Sequence, residues 1–252
     1  MADTVVCGTA NILVTLDSPA VETRFEKLVD VCDVLALQEW PRGRNDLLAA
    51  QGRLFRWWPG VSPHDLEPRG RWSFHRAHAG GGPIGVRNSL HETPLACWAS
   101  VLAPAGRVDK VPGRRSFLGP SWCTRLKSRR RDGSVVIRYN LHLTAGVQIG
   151  HMDYRGDRPK RVARHRDRER PRIGELVAED LARGFDVEVY GDDNFHHMRI
   201  GGLTAWWATE PGESTFGNRA IDGIWTTRSP DSVTFLPALV PGEHRHVIAR
   251  YS

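Results

Sequence analysis

Three apolar runs in this chain each stop on polar groups of the kind that do chemistry. Asp33–Leu37 leads into Gln38-Glu39, Ser134–Leu141 leads into His142, and Asp186–Tyr190 opens into Gly191-Asp192-Asp193-Asn194. Short apolar runs bounded by turn residues read as buried strands. Polar groups at strand ends can gather on one rim of a sheet. Val5–Leu16 adds a strand ahead of these, with Asn11 inside it, where a buried amide needs a partner. Ser18-Pro19 then starts a helix, with a capping hydroxyl and a preset φ at the first helical residue. Val21, Phe25, Leu28, Val29 and Cys32 recur along it at helical spacing. A strand–helix–strand opening predicts an α/β architecture.

The rest of the chain is read more coarsely. Asn45 is expected to cap a short helix over Asp46–Gln51 that Gly52 ends. Residues 57–83 (WWPG, EPRGRW, AGGGP) read as loop, and Ile84–Val86 as the start of a strand. Ser100–Leu126 reads as irregular. Arg161–Arg183 is helical at its C-terminal end, where Ile173, Leu176, Val177 and Leu181 make one apolar face and Gly184 is a stop. Ala220–Thr226, around Asp222, and His246–Tyr251 are further strands. With no internal repeat and no linker, residues 1–252 are expected to form a single domain.

Composition excludes several classes. At 40% hydrophobic and 25% charged residues, wholesale disorder is ruled out. No apolar run approaches the roughly 18–20 residues that span a bilayer, so no membrane association is expected. The N-terminal MADTVVCGTANILV has no basic region before its apolar stretch, so it does not read as a secretory signal. Cys7, Cys32, Cys97 and Cys123 show no pairing pattern, which suits a reducing, cytoplasmic setting. Gly80-Gly81-Gly82-Pro83 lacks the Lys-Ser/Thr of a phosphate loop. His196 and His197 are adjacent and so point apart. His64, His75 and His78 have no Cys partners for zinc. Trp57-Trp58 and Trp206-Trp207 could stack on bases, though packing is the commoner use of such residues.

Charge is localised. The formal net charge is +6, and nine Lys/Arg against four Asp/Glu lie between His151 and Arg172. That segment follows the His142 strand directly. It reads either as a salt-bridged, solvated helix start or as an arm that tracks phosphates. Arg155, Arg158, Lys160, Arg161 and Arg164 are its candidates for binding substrate phosphate.

Taken in order, TAN-I (Asn11), LALQEW (Gln38-Glu39), NLHL (His142), YGDDN (Asp192, Asn194), AIDGIW (Asp222) and GEHR (Glu243-His244) resemble the endonuclease/exonuclease/phosphatase superfamily. That superfamily includes pancreatic deoxyribonuclease, exonuclease III-type enzymes, inositol polyphosphate 5-phosphatases and bacterial sphingomyelinases. The resemblance runs from Asn11 to His244. It implies a four-layer sandwich, two packed mixed β-sheets flanked by helices. It also implies a metal-dependent phosphodiesterase, here a nuclease acting on DNA or RNA; the sequence itself shows no sign of an obligate protein partner. Glu39 would bind Mg²⁺ or Mn²⁺, with Asn11 supporting it; oxygen donors of this kind suit hard cations. Asp192 would orient and deprotonate the attacking water. Asn194 and His142 would contact the phosphate, and His244, fixed by Asp222, would steady phosphoryl charge or act as an acid. Where the family has Ser-Asp-His, this chain has Gly242-Glu243-His244, which puts the metal-side role of Glu243 in doubt. Asp193 stands where an apolar or aromatic residue is usual. Two other readings stay open: a phosphatase or phosphodiesterase of a smaller phosphate ester, and a catalytically weak nucleic-acid-binding relative.

Overall fold

The structure is a computed structural model that describes residues 4–12, 18–40, 44–58, 63, 67–77, 81–107, 117–145, 147, 158–195, 198–206, 220–236 and 244–252. In chain order the elements are β1 (Val5–Asn11), α1 (Ser18–Val31), β2 (Val34–Gln38), α2 (Asn45–Gln51), β3 (Gly52–Trp57), β4 (Trp72–Ala77) and β5 (Ile84–Arg87). A 3-10 turn (Asn88–Leu90) precedes β6 (Thr93–Ala103), β7 (Gly106–Arg107), β8 (Phe117–Leu118), β9 (Ser121–Arg129) and β10 (Val135–His142). Then come α3 (Arg158–Arg164), a π-helical turn (His165–Glu169), α4 (Arg170–Ala182), β11 (Asp186–Asp192), β12 (Thr204–Trp206), β13 (Asp222–Thr226), β14 (Ser232–Leu236) and β15 (His246–Tyr251).

Two mixed sheets carry the fold. One has the order β14-β15-β1-β2-β5-β4-β3, the other β12-β13-β11-β10-β9-β6. β1 pairs with β2 in parallel, and β10 with β11 in parallel; β13 and β15 run antiparallel to β11 and β1. The sheets pack face to face, β1 on β11 and β13, β2 on β10 and β11. Alternation along β2 shows why. Leu35 and Leu37 meet Phe25, Leu28 and Val29 of α1, while Val34 and Ala36 meet Tyr190 and Ile224 of the other sheet. Both faces of the strand are buried, so it reads as a continuous apolar run. On the far side Ile173, Leu176 and Val177 of α4 cover Ile137, Tyr139, Val187 and Val189. The layers are therefore helix, sheet, sheet, helix, as the sequence resemblance implied.

The structure corrects three local readings. The stretch read as loop contains β4, and the stretch read as irregular contains the end of β6, all of β7 and β8, and most of β9. Their polar letters disguised them. His75 in β4 is buried, takes a hydrogen bond from Trp57 Nε1 at 3.2 Å, and burial pushes its pKa down to about 3, so it packs as a neutral ring. Arg125 in β9 is buried against Asp180 of α4 and lies over the rings of Trp98 and Tyr139. Asn45 makes no cap: it lies inside α2, whose N-cap is Arg44; Gly52 does end the helix, and the chain passes straight from it into β3.

Away from the strand ends that carry His142 and Asp192, β10 and β11 hold a buried ion network. Arg138 donates to Glu188 at 2.8 Å and to both oxygens of Glu92 at 2.5 and 2.8 Å. Arg130 and Tyr190 also donate to Glu188, each at 2.7 Å. Burial alone would raise the Glu188 pKa; Arg138 and Arg130 outweigh it and hold the carboxyl at about 2. An unfolded chain takes up this proton near pH 4.5. The network's contribution is thus complete above that pH and is lost as pH falls toward 2. Thermal unfolding followed from pH 7 to pH 3 is expected to show the melting temperature dropping below about pH 4.5. Glu188→Gln is expected to lose about 3–5 kcal/mol at pH 7 and to flatten that acid slope.

Candidate active site

Strand direction builds the site. β1, β2, β10 and β11 all run toward one rim, and β13 and β15 begin there. Asn11 ends β1, Glu39 follows β2, His142 ends β10, Asp192 ends β11, Asp222 starts β13, and His244 lies two residues before β15. In the register His142 lies opposite Asp192, and Asp192 opposite Asp222.

One residue beneath the rim the two sheets are joined by buried amides. Gln38 Nε2 donates to Asn140 Oδ1 at 2.6 Å, and Thr9 Oγ1 donates to Gln38 Oε1 at 3.2 Å. Asn140 Nδ2 donates to the carbonyls of Leu37 at 2.9 Å and Pro83 at 3.0 Å. Gly82 is required there for space: a Cβ would lie 1.7 Å from Leu37 O and 2.7 Å from Asn140 Nδ2.

Above this seam the side chains converge. Asn11 Nδ2 donates to Asp192 Oδ2 at 2.9 Å and reaches Glu39 Oε1 at 3.4 Å. His142 Nε2 lies 3.3 Å from Glu39 Oε1 and 3.8 Å from Asp192 Oδ2. His244 Nδ1 bonds Asp222 Oδ2 at 2.7 Å, while its Nε2 faces Asp192 Oδ2 at 3.9 Å. Burial works against charge on His244, but Asp222, then Asp192 and Glu39, outweigh it and push its pKa up to about 9. At neutral pH this ring is an imidazolium aimed at Asp192. Asn194 takes a positive φ of 53°, which brings its N–H to Asp192 Oδ1 at 2.7 Å and its side-chain amide to Leu143 O at 3.1 Å. Glu39 also has a positive φ, 49°. For a Glu this is strained backbone of the sort found at functional positions.

The donors fit a hard cation at the mouth of the site. Carboxylates only accept hydrogen bonds, so the Asn11 amide must turn its nitrogen to Asp192 and Glu39. That leaves Asn11 Oδ1 buried without a hydrogen-bond partner among the described residues. An orphaned oxygen beside the Glu39 carboxylate suits Mg²⁺ or Mn²⁺. Asp192, Asp222 and His244 also bring ligand atoms within 4.8 Å of one another. There, however, His244 Nδ1 is committed to Asp222 and the ring carries positive charge, so Glu39 and Asn11 are the better cation ligands.

No protein-family model matches the sequence, and no curated protein matches it. Solved structures do. An endonuclease/exonuclease/phosphatase family protein from Bacteroides thetaiotaomicron matches 99% of this chain over 98% of its own, at 14% identity and a TM-score of 0.57. The fold is that of the endonuclease/exonuclease/phosphatase superfamily. A mannosyl-6-phosphatase from Bacteroides thetaiotaomicron (15% identity, 97% of this chain, 98% of that one, TM-score 0.53) has a similar structure. So does ANGEL2, a 2',3'-cyclic phosphatase (12% identity, 98% of this chain, 94% of that one, TM-score 0.55).

Within this fold, seven residues singled out from sequence come together: Asn11, Glu39, His142, Asp192, Asn194, Asp222 and His244. Glu243 and Arg155 lie outside the described residues, as do His64, His78, His196, His197 and Trp207. Arg158, Lys160, Arg161 and Arg164 all lie on α3. Arg161 donates to Ala145 O at 3.1 Å, and Arg164 to Gly119 O at 2.8 Å and Glu169 at 3.2 Å; Lys160 is exposed.

Sequence reasoning missed the π-helical turn. Glu169, fully buried, takes the Thr144 N–H at 3.0 Å and its hydroxyl at 2.5 Å, just past His142. Buried His165 meets Asp193 O at 2.9 Å, between Asp192 and Asn194. One extra residue per turn thus ties the ends of β10 and β11 to one helix, and such bulges are frequent at functional sites. Asp193 is also buried. Burial, then the carboxylates of Asp192 and Asp222, push its carboxyl well above the ordinary range, while the N–H groups of Phe195 and Met198 pull the other way. In a charge-alternating stretch nothing marks Glu169 or His165 as interior.

The His244 charge is directly measurable. In EDTA-treated protein its ring is expected to titrate near pH 9 by NMR. Asp222→Asn is expected to bring that titration below pH 7.

Proposed function

We propose that this chain is a divalent-metal-dependent hydrolase of phosphate esters, a phosphodiesterase acting on DNA or RNA. The observation that carries the reading is Asp192 held between Asn11, Asn194 and the His244–Asp222 pair, facing Glu39 and His142 across the rim. Ester hydrolysis needs an activated water, relief of charge growing on the phosphoryl oxygens, and help for the leaving oxygen. A cation held by Glu39 and Asn11 would supply Lewis-acid stabilisation of phosphoryl charge. Asp192 is fixed by two donors and so is a preorganised acceptor for the proton of an attacking water. The His244 imidazolium presents a positive N–H where phosphoryl charge develops, at no reorganisation cost. Asp222 holds its tautomer and orientation. His142, about one-third exposed, contacts the substrate phosphate from the other side. The Asn194 amide lies beside it through the Leu143 carbonyl.

Arg158, Lys160 and Arg161 belong to this reading as the basic stretch along which an extended polyanion lies; Arg164, its side chain 10% exposed and paired with buried Glu169, braces the π-helical turn instead. Their helix runs into the π-helical turn that grips both catalytic strands. A smaller phosphate ester is the second reading, favoured by the mannosyl-6-phosphatase of similar structure. A cytoplasmic setting is part of the proposal: all four cysteines are buried as free thiols. No described helix is long and apolar enough to cross a membrane.

Plasmid DNA, single-stranded DNA and RNA incubated with Mg²⁺, Mn²⁺ or EDTA test the proposal. Metal-dependent cleavage of at least one polymer is expected; hydrolysis of small phosphate esters alone would favour the second reading. Asp192→Ala is expected to fold and to lose about 10²–10⁴ in rate. A folded variant of full activity would remove Asp192 from the mechanism.

A further inference from the structure

One aromatic ring at the rim has no role in the fold proportionate to its placement. Phe195 immediately follows Asn194, so its Cα lies about 3.8 Å from that of Asn194. The residue is 39% exposed; among the described residues the other large apolar residues exposed to this degree are Trp58 and Val101. Tyr139, Tyr190 and Trp225 of the same half-molecule are fully buried. An isolated exposed Phe on a loose loop would carry no message, but this one is held in place. Its N–H donates to Asp193 Oδ1 at 2.5 Å, and Asp193 is itself buried. Its ring stacks on His165 with centroids 5.6 Å apart and 30° between planes. The Arg170 guanidinium, at the start of α4, lies 5.2 Å from the ring centroid. Arg170 makes no ion pair among the described residues, so its charge is not neutralised by a carboxylate there.

We propose that Phe195 and Arg170 form a receiving platform for the nucleotide next to the scissile phosphate, the base stacking on Phe195 and its phosphate facing Arg170. The inference rests on the nucleic-acid reading above and narrows it to substrates with a planar base beside the cleaved bond. A ring plus an adjacent guanidinium matches a base plus its phosphate, the pairing used by proteins that bind single strands without reading sequence. A hexose or inositol ester has no flat face to stack, so for such a substrate the exposed ring would have no partner.

Binding tests the assignment apart from cleavage. Full-length protein in EDTA is titrated into a fluorescent oligothymidylate and into the same strand carrying tetrahydrofuran abasic residues. Phe195→Ala is expected to weaken oligothymidylate binding about tenfold and to leave the abasic strand within about twofold, with Phe195→Trp restoring affinity. Arg170→Ala is expected to weaken both strands and to reduce the salt slope by about 1. Equal losses on both strands, no loss on either, or no oligonucleotide binding by the parent protein would each overturn the platform. Phe195-dependent binding without metal-dependent cleavage would uphold the platform and count against the nuclease reading.

Discussion

The amide pair between Gln38 and Asn140 is the interaction on which the arrangement of the candidate site depends. It crosses from one sheet to the other just below the rim, and Thr9 completes it. Each member is linked by the chain to a site residue: Thr9 to Asn11, Gln38 to Glu39, Asn140 to His142. Residues two apart on a strand share a face, so fixing Thr9 and Asn140 at the interface aims Asn11 and His142 at the same cleft. Apolar packing alone would tolerate sliding of one sheet over the other. Buried amides do not, because each unpaired group costs about 1–3 kcal/mol.

The remaining devices refine this placement. The π-helical turn ties the chain after His142 to the chain after Asp192 through Glu169 and His165. The positive φ angles of Glu39 and Asn194 turn side chain and N–H into the cleft, at about 1–3 kcal/mol each. Strain sits at the rim, while the Arg138–Glu188–Glu92 network holds the opposite ends of β10 and β11. His244 gains its charge from being enclosed with three carboxylates, which is a consequence of two sheets meeting and not of its local sequence.

What the sequence disclosed follows from range. Glu39, His142 and Asp192 were legible because a short apolar run followed by a polar residue is a local pattern, and because the order of such runs resembles one superfamily. The helix layers were legible from apolar spacing in α1 and α4. β4, β6 and β9 were not, since His75 and Arg125 become core residues only through partners far along the chain. Glu169 lay hidden within RHRDRERPR for the same reason: its partner, Thr144, is 25 residues away. The setting of Phe195 likewise comes from His165 and Arg170, both distant from it in sequence.

The central claim is that residues from two sheets act as one catalytic unit. The direct measurement is a double-mutant cycle on metal-dependent hydrolysis of bis(p-nitrophenyl) phosphate, with Glu39→Gln from the first sheet and Asp192→Asn from the second. Groups that act as a unit are strongly non-additive. The account predicts that the double variant is no slower, within about threefold, than the slower single variant. Losses that multiply would contradict it, placing Glu39 and Asp192 in independent roles.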